Sequence, residues 1–230
     1  MNLEELKNKI TLGDSFEILK QLPDKCIDLI LTDPPYGIKF GEYNRTNKTS
    51  DGTRYKANKY KNSNWDDSTP SDEFFLEMMR VSKNQIIFGG NYFPILWKYG
   101  GKGFIFWNKN QPVKNFADGE LAWTSFDRPA KNYNFTYYGN LEGNTVASEK
   151  IHPTQKPLKL FETIIRDYIG TAGGGQLIAD FFSGSGTTAV ACWNLGLDFI
   201  AVEKDEEYYK SSVERLKNVQ SQMKLFRDLF

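Results

Sequence analysis

The stretch 177–188, LIADFFSGSGTT, restricts the fold more than any other part of the chain. A short apolar run ends at Asp180, glycines follow at 184 and 186, and a threonine pair opens a helix-forming segment. A strand that passes through a glycine turn into a helix commits the chain to a crossover, and crossovers pack against parallel sheets. The rest of the sequence keeps that rhythm. Apolar runs bounded by Gly, Pro, Asp or Asn predict strands at 9–12, 27–32, 85–88, 103–107, 177–180 and 199–202, with weaker strand patterns at 121–125 and 133–138. Helical periodicity predicts helices at 15–21, 72–81, 158–169, 187–195 and 206–223, with Gly170 and Gly196 placed to stop two of them. The expected architecture is a single α/β domain with a largely parallel sheet.

Composition narrows the function. With 29 basic and 29 acidic residues among 230, bulk charge does not mark a nucleic-acid binder, so any such contact must be local. Two distant cysteines, Cys26 and Cys192, make no disulfide framework and fit a reducing, cytoplasmic setting. No apolar window is long enough to span a membrane. A single histidine, His152, argues against a multi-histidine metal site, so no metal is expected.

Asp33-Pro34-Pro35-Tyr36 directly follows the 27–32 run. An exocyclic base amine is a poor nucleophile because its lone pair is delocalised into the ring. Acceptors aimed at both N–H groups pull the nitrogen toward a tetrahedral shape and free that lone pair. Asp33 offers one acceptor through its carboxylate, and the Pro34 carbonyl offers a second, oriented by two consecutive fixed-φ residues. Tyr36 offers a ring against which an extruded base can stack. Asp33 also opposes the positive charge that develops on nitrogen. The plainer reading is a turn that ends a strand.

The loop Asp180-Phe181-Phe182-Ser183-Gly184-Ser185-Gly186-Thr187 lets backbone approach a ligand closely. It lacks the third glycine of a dinucleotide fingerprint and has no Walker lysine. The next strand ends at Glu203, where a ribose diol is commonly held. On this motif alone, NAD and S-adenosyl-L-methionine are both open. Both motifs sit at strand carboxyl ends, where open sheets bind ligands. A hydride cofactor has no use for the double-proline turn, whereas a sulfonium methyl donor does.

With these residues in hand, the chain resembles the β-group amino-methyltransferases of DNA, which act on adenine N6 or cytosine N4. The likeness covers roughly 9–38, 72–126 and 150–216. It implies a Rossmann-like, seven-stranded, mostly parallel sheet flanked by helices, the class I methyltransferase fold, and S-adenosyl-L-methionine as cofactor. It implies that Asp33, Pro34, Pro35 and Tyr36 are catalytic. On the cofactor side it implies Asp33, Asp180, Phe181, Phe182, Ser183, Gly184, Ser185, Gly186 and Thr187, with Glu203 and its neighbour Lys204 at the ribose. Asp14 matches the acid that contacts the cofactor's adenine, and equally reads as the N-cap of the 15–21 helix. His152-Pro153-Thr154-Gln155-Lys156-Pro157 is similar to a family segment in which Thr154 and Lys156 hold the cofactor carboxylate. The glycines of Gly89-Gly90-Asn91-Tyr92-Phe93 and the segment Phe106-Trp107-Asn108-Lys109 match the region of the target-base pocket.

Residues 39–65 hold seven Lys/Arg against two acids, a local +5, with Tyr43, Tyr55, Tyr60 and Trp65 interleaved. The stretch 39–68 is expected to be a basic DNA-contacting loop serving a base-flipped target. Residues 109–151 are expected to form a short target-recognition insertion. Monomer and homodimer both fit, as do roles with or without a restriction partner. The favoured activity is site-specific adenine-N6 methylation of DNA. Cytosine-N4 methylation is the first alternative, and a non-catalytic nucleotide-binding module the second.

Overall fold

The computed structural model describes residues 2–38, 66–111, 117–138, 141–142, 145–146, 151–152, 154–171 and 175–228. Strands β1 (Lys9–Leu12), β2 (Ile27–Thr32), β3 (Ser82–Phe88), β4 (Phe104–Asn108), β5 (Gly119–Thr124), β6 (Lys131–Asn134), β10 (Leu177–Asp180) and β11 (Asp198–Glu203) form one sheet. Their order is β1-β11-β10-β2-β3-β5-β4-β6. Only β5 runs antiparallel to its neighbours. Three two-residue strands, β7 (Tyr137–Tyr138), β8 (Leu141–Glu142) and β9 (Thr145–Val146), make a separate antiparallel sheet.

The main sheet thus has eight strands where seven were expected. The 133–138 pattern divides. Lys131–Asn134 pairs in parallel with β4, and Phe135 then bonds the carbonyl of Asn108, the last residue of β4. No β4 backbone remains beyond it, so the chain leaves the sheet and begins β7. Part of the proposed insertion at 109–151 therefore supplies two strands of the central sheet. The strand at 85–88 starts three residues earlier, at Ser82, because Ser82 and Asn84 pair with Ile27 and Leu29 of β2.

Helices α1 (Leu3–Leu6), α2 (Ser15–Leu19), α3 (Asp72–Val81), α4 (Leu158–Tyr168), α5 (Thr187–Leu195) and α6 (Glu206–Asp228) cover the sheet. The short α1 escapes the periodicity test but carries a capping box from Asn2 and Glu5. Ser71 caps α3 through a bond from Phe74 N–H. Alternation along β3 sends Ile86 and Phe88 to the face packed by α4 and α5, and Ile87 to the face packed by α2 and α3. Helix α5 is buried around most of its circumference, which suits the middle of such a sandwich. Among the described residues no helix is long and apolar enough to cross a membrane.

Candidate active site and cofactor cleft

The double-proline turn leaves β2 and the glycine loop leaves β10. These strands are hydrogen-bonded parallel neighbours, with Ile178 opposite Leu29 and Ala179 opposite Ile30. From β10 the chain continues to β11 on one side, and from β2 to β3 on the other. Strand order reverses here, and the carboxyl ends open into a crevice. A cleft of about 1280 Å³ occupies it.

Asp14, Asp33, Pro35, Thr154, Lys156, Asp180, Phe181, Phe182, Ser183, Gly184, Ser185, Thr187, Glu203 and Lys204 all line that cleft. Pro34, Tyr36 and Gly186 are not among the residues that line it. Residues 39–65 of the basic stretch, and Pro153, lie outside the described residues.

Asp33 is the centre of the site. Its Oδ1 accepts from Tyr36 Oη at 2.5 Å, and its Oδ2 receives the Lys156 ammonium. Burial pushes the Asp33 carboxyl up, while the Lys156 ammonium opposes that shift. Burial and the adjacent Asp33 carboxylate push the Tyr36 phenol well up, so it remains a neutral donor. Burial works against the Lys156 charge, but Asp33 and Glu120 outweigh it and keep the ammonium charged. Lys156 was expected on a cofactor carboxylate. Here its ammonium meets Asp33 and, at 3.1 Å, Glu120.

Tyr36 is held on every side. Its backbone N–H and that of Gly37 donate to Asp66 Oδ1 at 2.7 and 2.9 Å. Its ring stacks on Tyr92 at 4.8 Å with an 11° interplanar angle, and meets the Phe93 edge. Gly89, at φ +68°, abuts the same ring: a Cβ there would lie 2.0 Å from Tyr36 Cε1. The glycine pair after β3 thus serves the close approach of Tyr36, and Gly90 that of Trp123.

The glycine loop is pinned from beneath. Glu203 Oε2 accepts from Gly184 N–H at 2.6 Å, and Oε1 accepts from Asp205 N–H at 2.8 Å. Arg215 of α6 donates to Ser185 O at 2.9 Å. Ser15 Oγ donates to Phe181 O at 2.6 Å. His152 packs its ring against Gly184 and, at 4.2 Å, against Tyr208. Burial depresses its pKa to about 4, so it is neutral near pH 7. Its Nδ1 accepts from Thr154 N–H at 3.3 Å. Asp14 caps α2 through Phe16 and Glu17 N–H groups, and its other oxygen meets Lys204 at 3.1 Å on the cleft rim. Both readings of Asp14 are therefore compatible with its position.

The cleft fits a nucleoside-bearing cofactor. Phe16, Phe74 and Phe182 form an aromatic wall, with ring centroids 5.6 and 5.0 Å apart in sequence along it. Ser183 Oγ is buried in the lining with no hydrogen-bond partner among the described residues. Such an atom needs a polar group from a ligand or water. Glu203 adds a carboxylate at the tip of β11.

Asp180 is a fastener rather than an open ligand group. It accepts from Thr32 Oγ1 and Thr188 Oγ1, each at 2.6 Å, and from Phe182 N–H at 3.0 Å. Burial nevertheless pushes its carboxyl up to about 6. Because that value lies above the unfolded one, its stabilising contribution is full below about pH 4 and is lost as pH rises through 6. Asp180→Ala removes three hydrogen bonds and is expected to cost about 3 kcal/mol. Asp180→Asn should gain on the wild type as pH passes 6. Urea denaturation at pH 5 and pH 8 checks both, and an equal cost for the two variants at both pH values would contradict the assignment.

Sequence reasoning did not single out Glu120, Asp66, Arg215, Phe16 or Phe74. Glu120, on β5, also pairs with Lys109 at 2.6 Å. Burial would raise its carboxyl, but the Lys156 and Lys109 ammoniums prevail and hold it at about 2.

A Rossmann-like sheet with a nucleoside cleft at its switch point, and an aspartate-proline turn on its lip, defines a nucleotide-cofactor enzyme. The profile of the N6/N4 DNA methylases matches residues 43–214, three quarters of the chain, and the protein belongs to that family. The match begins after the double-proline turn, whose case rests on its own geometry. The chain is 26% identical to the type II methyltransferase M.HinfI of Haemophilus influenzae, over 95% of this chain and 70% of that protein. It is 27% identical to M2.DpnII of Streptococcus pneumoniae, over 92% of this chain and 91% of that one. Among solved structures it is similar to the M1.HpyAVI–SAM complex, at 25% identity and TM-score 0.53, over 94% of this chain and all of that one. The PvuII cytosine-N4-specific DNA methyltransferase shares the fold, at 17% identity and TM-score 0.56, over 93% of this chain and 91% of that one.

Proposed function

We propose that the chain transfers a methyl group from S-adenosyl-L-methionine to the N6 amine of adenine in DNA. One observation carries the reading: the turn bearing Asp33 and the glycine loop leave adjacent parallel strands and line a single cleft. When bound, S-adenosyl-L-methionine supplies an electrophilic methyl group. The glycine loop, Ser183, Glu203 and the aromatic wall hold it. Asp33 accepts one N–H of the target amine and the Pro34 carbonyl accepts the other, freeing the lone pair. Asp33 stabilises the positive charge that develops on nitrogen and accepts the proton that the methylated amine sheds. The aspartate in the first position of the turn favours adenine, because the cytosine enzymes of the family that the chain resembles more often carry serine there.

Incubation with unmethylated DNA and isotopically labelled cofactor, followed by nucleoside mass spectrometry, tests the reading. Labelled N6-methyladenine is expected. N4-methylcytosine would reassign the target, and cofactor binding without label in either base would reduce the chain to a binding module.

Residues 39–68 are read as the DNA-contacting loop, because the excess of positive charge and the aromatics follow directly on the double-proline turn. Replacing Lys56, Lys59 and Lys61 together by alanine is expected to lower the salt dependence of DNA binding by a slope of about 3. Cofactor affinity should not change. A slope equal to the wild type's would remove the loop from the interface. Residues 135–151, which follow β6, are the part of the proposed insertion left to read the target sequence.

A further inference from the structure

Four charges alternate along one line beside the cleft: Lys109, Glu120, Lys156 and Asp33. The methyl-transfer reading, on which this inference rests, requires Asp33 to accept an N–H from the target amine. Both Asp33 oxygens are already engaged, one by Tyr36 and one by Lys156. Each oxygen keeps a further lone pair, but a charged donor held on Oδ2 weakens Asp33 as an acceptor for the amine, and its withdrawal would strengthen it.

Tyr36 is fixed. It lies three residues from Asp33 in the same turn, with its backbone tied to Asp66 and its ring wedged between Tyr92 and Gly89. Lys156 has a long flexible stem and a second carboxylate within reach. Glu120 Oε2 lies 3.1 Å from the ammonium, yet it is buried and, among the described residues, makes no aligned hydrogen bond. Glu120 thus already shares the ammonium with Asp33 and can draw it closer. The other Glu120 oxygen is anchored by Lys109 at 2.6 Å, which fixes the orientation of the carboxylate. Without Glu120, a Lys156 released from Asp33 would be an unpaired buried cation, and the exchange would be strongly opposed.

We propose that Glu120 is a positioning residue that takes the Lys156 ammonium from Asp33 when the target amine binds. The exchange leaves Asp33 Oδ2 open to the amine N–H. It leaves the buried ammonium paired, since Lys156 keeps its contact with Glu120. It also leaves Asp33 a stronger acceptor at the moment the amine must lose a proton. The competing reading is a static ion network that ties β5 to the turn after β2.

The test compares wild type, Glu120→Gln and Glu120→Asp in single-turnover methylation of adenine-containing DNA at saturating cofactor. Glu120→Gln is expected to lower kcat by roughly 100-fold, with cofactor Kd unchanged, and Glu120→Asp to restore much of the loss. The groups facing Asp33 are Lys156 from the segment before α4, Tyr36 from its own turn, Glu120 from β5 and Asp180 from β10. With Lys156 held on Asp33, the acidic limb of the kcat profile should move to lower pH in Glu120→Gln. Because Glu120 acts through Lys156, adding Glu120→Gln to a Lys156→Met variant should slow it no further. This double variant also decides the matter if Glu120→Gln alone folds poorly. Multiplying effects in the double variant, an unmoved pH profile, or full activity of Glu120→Gln overturns the assignment while leaving the function intact. No transfer by the wild type overturns both.

Discussion

Asp33→Ala is expected to slow methyl transfer by roughly 10³-fold or more, with cofactor affinity close to that of the wild type. The carboxylate is the acceptor that localises the amine lone pair, and neighbouring atoms cannot replace it. Tyr36 Oη and Lys156 Nζ are donors, and Glu120 is already claimed by two ammoniums. The glycine loop and Glu203 form their contacts without Asp33, so the cofactor cleft should persist. Asp33→Asn retains one acceptor oxygen but loses the charge, and should fall between the two. Rapid-quench methylation alongside calorimetric titration of the cofactor separates chemistry from binding. An Asp33→Ala protein that turns over within tenfold of the wild type would remove Asp33 from the mechanism.

Gly89→Ala is the second large effect. A left-handed φ of +68° disfavours any residue with a Cβ by about 1–2 kcal/mol. The added atom would also lie 2.0 Å from the Tyr36 ring, a distance that real contacts do not reach. Either β3 or Tyr36 must shift. Tyr36 carries the hydrogen bond that orients Asp33, so a shift of about 1 Å should reduce kcat by roughly 100-fold. Thermal unfolding should show a loss of stability, and nucleoside mass spectrometry a loss of product. Gly100, at φ +89°, has open space where a Cβ would sit and provides the control: Gly100→Ala meets only the φ penalty. Equal activity losses at 89 and 100 would mean that the Tyr36 contact is irrelevant.

The two halves of the site could be read from the sequence because each is local. A strand, a turn and a helix start occupy consecutive residues, so Asp33–Tyr36 and Asp180–Thr187 carry their own context. Their juxtaposition followed from the rule that ligands gather at a switch in strand order, and the β2–β10 pairing realises it. Asp14 and Lys156 were found as residues, but their partners were not. A side-chain ion pair between residues 123 positions apart leaves no periodic trace. Glu120 was hidden for a similar reason. It is the second residue of an interior antiparallel strand, in a polar stretch without clear periodicity, and its weight comes from lysines just after β4 and ahead of α4. Asp66 was hidden because it lies 30 residues from Tyr36 in sequence and meets the turn only in space. The eighth strand lay within the weak 133–138 pattern, whose bounds were blurred because a single aromatic-rich run serves two different sheets.

A crystal structure of the chain with S-adenosyl-L-methionine bound tests the central claim most directly. The reactive methyl group should face Asp33 across the β2–β10 crevice, so that an amine bonded to that carboxylate lies about 3–3.5 Å from it. A cofactor whose methyl group points away from Asp33, or that binds outside this crevice, would contradict the account.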